Sequence, residues 1–311
     1  KEATEAQLGK EVKGAVIGRP VKYHGTRGED GNSQAITIMK EAAKLAGFEK
    51  IDFLEEPIAA AYRIEQNLNE EKVALVIDIG GGTTDVCCIR LGTQKQHEYD
   101  RQQDVLSVTG TRLGGMECDK NLILKCIAPA MGLGTETTNG IPIPPLYYND
   151  MVAVDDIPRL NKFFTDETGL EIAQTISIAK EPKKLEKLLI VQEEKQSARL
   201  VNSSRMAKEM LSEKNHIVLP LKYIEPDFNV ELTEDDLKRS MIGWMSRVRA
   251  LVNECLAKSS QKPDILFLTG GMSLSPVVQK DIKAMLPDIP IVTADAFKSI
   301  SEGLSIQANK L

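Results

Sequence analysis

The sequence predicts an α/β protein in which a long, mostly helical segment interrupts the sheet-forming part. Three observations support this fold class. Short apolar runs rich in β-branched residues alternate with helical patterns over residues 1–115. The same alternation returns over residues 264–311. Between the two, residues 116–262 show mainly helical periodicity, which predicts an insertion into one α/β unit.

The first part of the chain alternates strands and helices. Residues 13–17 and 51–54 are predicted strands, because both are short apolar runs. Apolar side chains over residues 33–46 recur at the three- and four-residue spacing of a helix. A second helix is predicted over residues 58–64, with Pro57 in its first turn, where proline is favoured. This order predicts a sheet with helical crossovers.

A glycine-rich hairpin follows. Apolar runs at residues 73–77 and 86–91 flank Gly80, Gly81 and Gly82, which predicts a strand, a tight turn and a returning strand. Because glycine has no Cβ, backbone amides in this turn can approach an anion closely. The same freedom leads us to expect positive φ angles at the three glycines.

Acidic and hydroxyl side chains flank this turn. Asp78 and Asp85 lie at its two mouths, and Thr83 and Thr84 add hydroxyl donors. Amides and hydroxyls beside carboxylates suit a polyphosphate carried with a divalent metal. The alternative is a glycine-rich hairpin with acidic caps. Since three consecutive glycines weaken a strand, we favour phosphate binding.

The middle of the chain is less regular until a long helix begins. A helix is predicted over residues 119–131, a loop over 132–150, and mostly helical, charged structure over 151–212. The next helix begins at Thr233, a good N-cap followed by three acidic residues that favour the positive end of the helix dipole. It carries an apolar stripe predicted to be buried, which comprises Leu237, Met241, Trp244, Met245, Val248, Leu251, Val252 and Cys255.

The last part returns to the α/β pattern. Residues 265–269 are a predicted strand, a helix follows Pro276, residues 289–293 are a further strand, and a final helix ends the chain.

Three loops follow predicted strands, at the edge where open α/β sheets bind ligands. They are residues 55–57, 78–85 and 270–273. Taken alone, a Gly-Gly pair after a strand is most often a turn, and a Glu before Pro is most often a cap. Together, the three loops predict one binding site at this edge.

Composition narrows the classes of partner. The net charge of -6 argues against a nucleic-acid-binding surface, which normally carries an excess of basic residues. No apolar run approaches the roughly 18 residues of a membrane span. The five cysteines form no CxxC pair, so we expect free thiols and a cytoplasmic location. We therefore expect neither nucleic acid nor membrane as a partner.

Four segments, in this order, resemble a known family. They are Phe-Leu-Glu-Glu-Pro-Ile-Ala-Ala-Ala-Tyr (53–62), Asp-Ile-Gly-Gly-Gly-Thr-Thr-Asp (78–85), Arg-Leu-Gly-Gly (112–115) and Phe-Leu-Thr-Gly-Gly-Met-Ser-Leu-Ser-Pro (267–276). They are similar to the nucleotide-binding domain of the seventy-kilodalton heat-shock chaperones of the DnaK type, within the actin-like ATPase superfamily and its ribonuclease H-like fold. The resemblance covers nearly the whole chain and is closer still to the YegD-type, chaperone-like branch.

The resemblance implies a role for each residue near the glycine turn. Asp78 would hold Mg2+ through water, while the amides of residues 80–82 and the side chain of Thr83 would contact the phosphates of ATP. Glu56 would orient water, and Asp85 would help to place the metal or a K+ ion. The implied catalytic residues are thus Glu56, Asp78 and Thr83, the implied metal residues are Asp78 and Asp85, and the further nucleotide-binding residues are Gly80, Gly81, Gly82, Thr84, Asp85, Lys208, Ser212, Gly270, Gly271 and Ser273.

Adenosine would lie between the Gly270-Gly271 turn and the helix near Lys208 and Ser212. Taken by itself, Lys208 is also consistent with a solvated helix lysine. The chaperones carry two adenine-side arginines where this chain has Leu274 and Glu209. Losing two guanidinium planes removes stacking and cation–π contacts, so adenine would bind weakly or in another mode.

The resemblance also implies a domain plan. Residues 1–72 would be the remainder of a first lobe, residues 73–115 and 263–311 the α/β core of a second lobe, and residues 116–262 the inserted, mostly helical subdomain. No counterpart of the family's first phosphate hairpin was recognised in the chain. We therefore expect an amino-terminally truncated chain that hydrolyses ATP barely or not at all, and that lacks the family's peptide-binding module.

The function expected of the intact protein is slow, Mg2+-dependent ATP hydrolysis in a chaperone-like role, with a protein partner or co-chaperone bound through the inserted subdomain. The alternative is a protein-interaction module that nucleotide regulates or in which nucleotide binding is vestigial. A third candidate is an actin-fold kinase, for which the sequence offers no clear substrate base.

Overall fold

The protein is described by a computed structural model that covers residues 1–23, 28–292, 295 and 298–311. It contains two compact units. The first comprises Lys1–Gly115 and Met245–Leu311, and the second comprises Met116–Trp244. The domain plan implied by the resemblance shares the division after residue 115 but draws its other boundaries at residues 72 and 262, and it stays a prediction.

The strands follow the predicted order, with three additions. The predicted strands near residues 13, 51, 73, 86 and 265 all form; the last has the predicted bounds, and the others are extended by one or two residues at one or both ends. The strands are β1 (Gly14–Arg19), β2 (Lys50–Glu55), β3 (Lys72–Ile79), β4 (Thr84–Leu91), β5 (Val105–Thr111), β6 (His216–Pro220), β7 (Asn229–Thr233), β8 (Ile265–Thr269) and β9 (Ile291–Val292). Of these, β5, β6 and β7 were not predicted. The strand predicted over residues 289–293 is shorter, and Thr293 lies outside the described residues.

Helices occupy most of the predicted helical segments. They are α1 (Glu2–Leu8), α2 (Gly28–Leu45), α3 (Glu56–Glu65), α4 (Gly115–Leu122), α5 (Pro145–Met151), α6 (Ile157–Phe163), α7 (Asp166–Ile178), α8 (Pro182–Glu193), α9 (Ser197–Met210), α10 (Glu234–Lys258), α11 (Pro276–Met285) and α12 (Ser299–Ala308). Neither α1 nor α5 was predicted. The helix predicted over residues 119–131 is α4, continued by a π-helical turn and a 3-10 turn.

Three parallel strand pairings and the β3–β4 hairpin organise the first unit. Strands β1 and β2 pair in parallel as a two-stranded sheet. A second sheet has the strand order β5-β4-β3-β8-β9, in which β3 and β4 are antiparallel while β3, β8 and β9 run parallel. Because β2 leads directly into α3 and β3 leads into the glycine turn, both loops follow the carboxyl ends of strands.

The core of the first unit lies between these strands and α3. Its members are fully or nearly fully buried, and the sequence supplies them as apolar runs in the strands and as a row of small alanines in the helix. The alanines at positions 59–61 let α12 approach closely, because a Cβ at Gly303 would overlap the backbone of Ala59. The largest buried members of this core include Phe267, Ile89 and Leu91.

The second unit is mostly helical, as predicted, but it contains the β6–β7 hairpin. The predicted stripe of α10, which belongs to this unit up to Trp244 and to the first unit from Met245 onward, is buried along its whole length. Thr233 caps this helix, since its hydroxyl accepts a hydrogen bond from the Asp236 amide at 3.2 Å and its own amide donates to the Asp236 carboxylate at 2.9 Å. Among the helices within the described ranges, none combines the length and the apolar character that crossing a membrane requires.

Candidate functional site: a glycine turn flanked by buried carboxylates

The glycine turn is open to solvent. Asp78 is paired with Asp85 and Ile79 with Thr84 in the β3–β4 register, and the Gly80 amide donates to the Thr83 carbonyl at 2.9 Å. Gly81 and Gly82 are exposed, and no atom lies within 4 Å of the position that a Cβ would take at either residue. The turn therefore has room for a ligand against its backbone.

The expectation of positive φ angles in this turn is wrong. None of Gly80, Gly81 and Gly82 has a positive φ. The turn is therefore neither type I′ nor type II′, the two turn types that most two-residue hairpins adopt. Glycine is therefore not needed here for a left-handed backbone conformation. What glycine provides is an uncovered backbone, because no side chain stands over the amides.

A second glycine segment supports the turn from one side. A Cβ at Gly114 would lie 2.5 Å from the carbonyl carbon of Gly81 and from the nitrogen of Gly82, so the two backbones approach closely. The Gly115 amide donates to the Gly80 carbonyl at 2.9 Å. This contact explains why the Arg-Leu-Gly-Gly segment accompanies the glycine hairpin.

Thr84 belongs to this supporting contact rather than to the open surface. Its side chain is fully buried, and its hydroxyl donates to the carbonyl of Leu113. The prediction that both threonine hydroxyls are available to a ligand is therefore corrected: the Thr84 proton is already engaged. Thr83 is partly exposed at the end of the turn, and its side chain interacts with the Asp85 carboxylate.

The loop after β8 packs against the base of the hairpin. Gly270 has a φ of 80°, and a Cβ there would overlap the Ile79 carbonyl and lie 2.6 Å from an oxygen of Asp78. Both the backbone conformation and the space therefore require glycine at this position. Gly271 is exposed, whereas Ser273 is buried and its hydroxyl donates to the Gly270 carbonyl at 2.7 Å. Ser273 thus stabilises the loop.

Asp85 is held in a tight pocket of backbone. One carboxylate oxygen accepts a hydrogen bond from the Val21 amide at 3.0 Å, and a Cβ at Gly110 would overlap that oxygen. The other oxygen is buried and has no hydrogen-bond partner among the described residues. Burial raises the pKa of Asp85 to about 7 against the opposing effect of hydrogen bonds from the Val21 amide and the Thr83 side chain, while the charge of Glu56 adds to the effect of burial.

Two further carboxylates share this environment. Burial raises the pKa of Asp78 to about 7, and the charges of Glu56 and Asp85 raise it further. Burial also raises the pKa of Glu56, which is the first residue of α3. Like charges disfavour the ionisation of one another only at short range. The mutual effects on these pKa values therefore indicate that the three carboxylates lie close enough to interact. A cation would relieve this repulsion.

These residues fit a metal–polyphosphate group. Within the described part of the chain one buried Asp85 oxygen has no hydrogen-bond partner, the turn beside it is open, and a bound cation would favour ionisation of the surrounding carboxylates. Among the described residues, no group of three or more His, Cys, Asp or Glu side chains is arranged to bind a metal directly. Contact with Mg2+ through bound water, as the resemblance implies for Asp78, needs no such group.

Lys208 and Ser212 lie in the second unit. Lys208 is 8% exposed, and its ammonium group forms an ion pair with Asp119 at 2.8 Å. The alternative of a solvated lysine is therefore wrong. The Ser212 hydroxyl donates to the Lys208 carbonyl at 3.1 Å. Glu209 is exposed and pairs with Arg205 at 2.8 Å.

The structure thus brings together Glu56, Asp78, Asp85, the glycine turn and Gly270 within the first unit. Sequence reasoning missed Val21 and Gly110, which position Asp85, and Arg19, which ends β1. Arg19 carried a signal, since it follows a predicted strand as the other site loops do. Val21 and Gly110 carried none, because their contact with Asp85 depends on the tertiary fold.

Comparisons with known proteins identify the family to which the chain belongs. The family model described as "Hsp70 protein" matches residues 1–130 and 172–311. The chaperone protein DnaK of Thermosipho africanus is 29% identical over 321 aligned positions, which cover 99% of this chain and 42% of the relative. DnaK of Thermotoga neapolitana is 27% identical over 322, with the same coverage. The chain therefore spans under half the length of these curated relatives. Because the family model matches most of its residues, the chain belongs to the Hsp70 family.

Proposed function

We propose that this protein binds Mg-ATP at the glycine turn of the first unit and hydrolyses it slowly in a chaperone-like role. The observation that carries the proposal is the set of three interacting carboxylates beside a turn with an uncovered backbone. Membership in the Hsp70 family supports the same function. When bound, Mg2+ would neutralise phosphate charge.

The chain's own residues divide the work. Backbone amides of residues 80–82 and the Thr83 hydroxyl would donate to phosphate oxygens, because Gly81 and Gly82 are exposed and carry no side chain. For this contact the Gly80 amide would exchange its hydrogen bond to the Thr83 carbonyl for one to phosphate, and the Thr83 hydroxyl would exchange its interaction with Asp85. Asp78 and Asp85 would orient the water shell of the cation. Glu56, whose raised pKa reflects a half-buried site, would orient the attacking water. Gly270 and Gly114 would hold the turn in place.

The wider function is proposed on the same basis. A protein partner or co-chaperone would bind through residues 116–262, and K+ would be a second cation beside Asp85. Five free cysteines, four of them buried, support a reducing, cytoplasmic location. Lys208 and Ser212 would serve the nucleoside, as the family resemblance implies.

Nucleotide-dependent thermal stabilisation tests the proposal. We expect Mg-ATP to raise the melting temperature of the protein, because a ligand that binds only the folded state stabilises it. Asp78→Asn should abolish most of the shift, while Asp166→Asn, a change at the start of α7 in the second unit, should leave it intact. No shift for the unmodified protein at millimolar Mg-ATP would contradict the proposal.

A protein-interaction module remains the second candidate, and Leu274 favours it. Leu274, which is 55% exposed, stands with Glu209 where the family resemblance implies adenine-side arginines, so contacts that would hold a nucleotide are missing. If nucleotide binding is vestigial, Mg-ATP will fail to stabilise the protein. Leu274→Ser would then weaken capture of a protein partner without affecting the fold.

A further inference from the structure

Arg19 lies at the same edge as the buried carboxylates. It is the last residue of β1 and pairs with Glu55, the residue before Glu56, in the parallel β1–β2 register. Two residues later, the Val21 amide donates to Asp85. The carboxyl end of β1 therefore places a guanidinium group next to the carboxylates of the proposed site.

The guanidinium is held in place but not fully used. One terminal nitrogen donates to the Glu55 carboxylate, and the other donates to the Pro20 carbonyl at 3.3 Å. Arginine has five N–H donors, so three have no partner among the described residues. The Arg19 side chain is 18% exposed, which leaves part of the group open to a ligand. A fixed, partly open guanidinium is suited to bind an oxyanion.

The excess of carboxylates at this edge of the sheet favours a positively charged side chain there. Glu55, Glu56, Asp78 and Asp85 give it four carboxylates, and a polyphosphate would add more negative charge. The positive charge of Arg19 acts on Asp85, where it lowers the pKa against the effect of burial. Arg19 therefore interacts electrostatically with the site and is more than a cross-strand partner of Glu55.

We propose that Arg19 recognises the terminal phosphate of a bound nucleoside triphosphate and makes the site prefer the triphosphate to the diphosphate. Glu55 positions the guanidinium for this contact. The inference rests on the proposed function, since it assumes a polyphosphate at the glycine turn. We assign this contact to the terminal phosphate because Arg19 lies beside the carboxylates that would surround the Mg2+ ion.

The test is calorimetric titration of the protein with Mg-ATP and with Mg-ADP. Arg19→Ala should weaken ATP binding about tenfold or more, as expected for lost charge-assisted hydrogen bonds, and ADP binding less than about threefold. Arg19→Lys should fall between, because it keeps the charge but not the planar fork. The matched control is Arg63→Ala, which removes another partly exposed ion pair of the first unit, with Glu302, and should change neither affinity.

A double variant separates recognition from structure. The double variant Arg19→Ala/Glu55→Gln removes the Glu55 charge together with its arginine partner, so no unpaired carboxylate is left at position 55. The melting temperature of this variant should therefore approach that of the unmodified protein. We expect it to keep the loss of preference for ATP. If it instead regains ATP affinity, or if ATP and ADP are weakened equally, the inference is overturned while the proposed function stands. If the unmodified protein binds neither nucleotide, the proposed function fails first.

Discussion

The glycines of this protein serve different purposes at different positions. Gly270 needs its left-handed backbone, Gly114 needs the absence of a side chain, and Gly81 needs neither for folding. An alanine at Gly81 would meet no atom within 4 Å and would not require an unfavourable φ. We infer that residues 81 and 82 are glycine for the sake of a ligand that approaches the backbone.

Two alanine substitutions test this distinction. Gly114→Ala should lower the free energy of unfolding by about 1–3 kcal/mol, because its Cβ would overlap the backbone of the turn. Gly81→Ala should change stability by less than about 1 kcal/mol but weaken Mg-ATP binding. Chemical denaturation and nucleotide titration measure the two effects. A control is Gly243→Ala, which meets open space in α10 and should be neutral or stabilising.

If Gly81→Ala unfolds the protein, or leaves ATP affinity unchanged, the turn does not act as a ligand surface.

The buried carboxylates make stability depend on pH. The pKa of Asp78 is raised from 3.8 to about 7 in the folded protein, so the folded state binds more protons than the unfolded state between these values. Stability of the nucleotide-free protein should therefore fall as pH rises from about 4 to about 7. Asp78→Asn removes the ionisable group, so it should flatten this dependence and stabilise the protein at pH 8 by on the order of 1–3 kcal/mol.

Denaturant unfolding at pH 5 and pH 8, without Mg2+ or nucleotide, measures this effect. A larger stability gap between the two variants at pH 5 than at pH 8 would contradict it. Asp227→Asn, a change outside the regular helices and strands, is a suitable control for the loss of one carboxyl group.

At the scale of elements, local signals located most helices and strands but not all. The glycine hairpin, β1, β2 and α10 are marked by apolar runs or by long 3.6-residue periodicity. Strands β6 and β7 do alternate buried and exposed residues, but each has only five residues inside a charged region. Such a short signal cannot be distinguished from helix or loop without the pairing partner.

In the candidate site, too, local sequence signals located some residues and missed those that depend on tertiary contacts. Its carboxylates and glycines were predicted because each stands beside a strand end, which is a local property. The contacts that Gly110 and Val21 make with Asp85, and that Leu113 makes with Thr84, were not predicted. Each of them joins residues that are at least 25 positions apart in the sequence. The buried partner of Lys208 was missed for the same reason: Asp119 lies 89 positions earlier.

The first turn of α10 offers a test at this scale. Thr233 and Asp236 form reciprocal hydrogen bonds between side chain and backbone, and the Thr233 hydroxyl also donates to the Asp236 carboxylate at 2.6 Å. Thr233→Ala should cost about 1 kcal/mol of unfolding free energy. Thr233→Ser keeps the hydroxyl and should restore most of it. Equal losses in the two variants would show that the cap does not contribute.

At the scale of the whole molecule, one α/β unit carries both its sheets and the candidate site, and the helical unit is inserted between its two sequence segments. The two segments, residues 1–115 and 245–311, contribute the glycine hairpin and the Gly270 loop respectively. The site therefore contains residues from both segments of this unit. Family membership and this arrangement both support the proposed binding of nucleotide.

A crystal structure with Mg2+ and a non-hydrolysable ATP analogue tests the central claim most directly. We predict that the triphosphate lies against the amides of residues 80–82, with Mg2+ held through water near Asp78 and Asp85. A triphosphate bound elsewhere on the protein, with the glycine turn empty, would contradict the account.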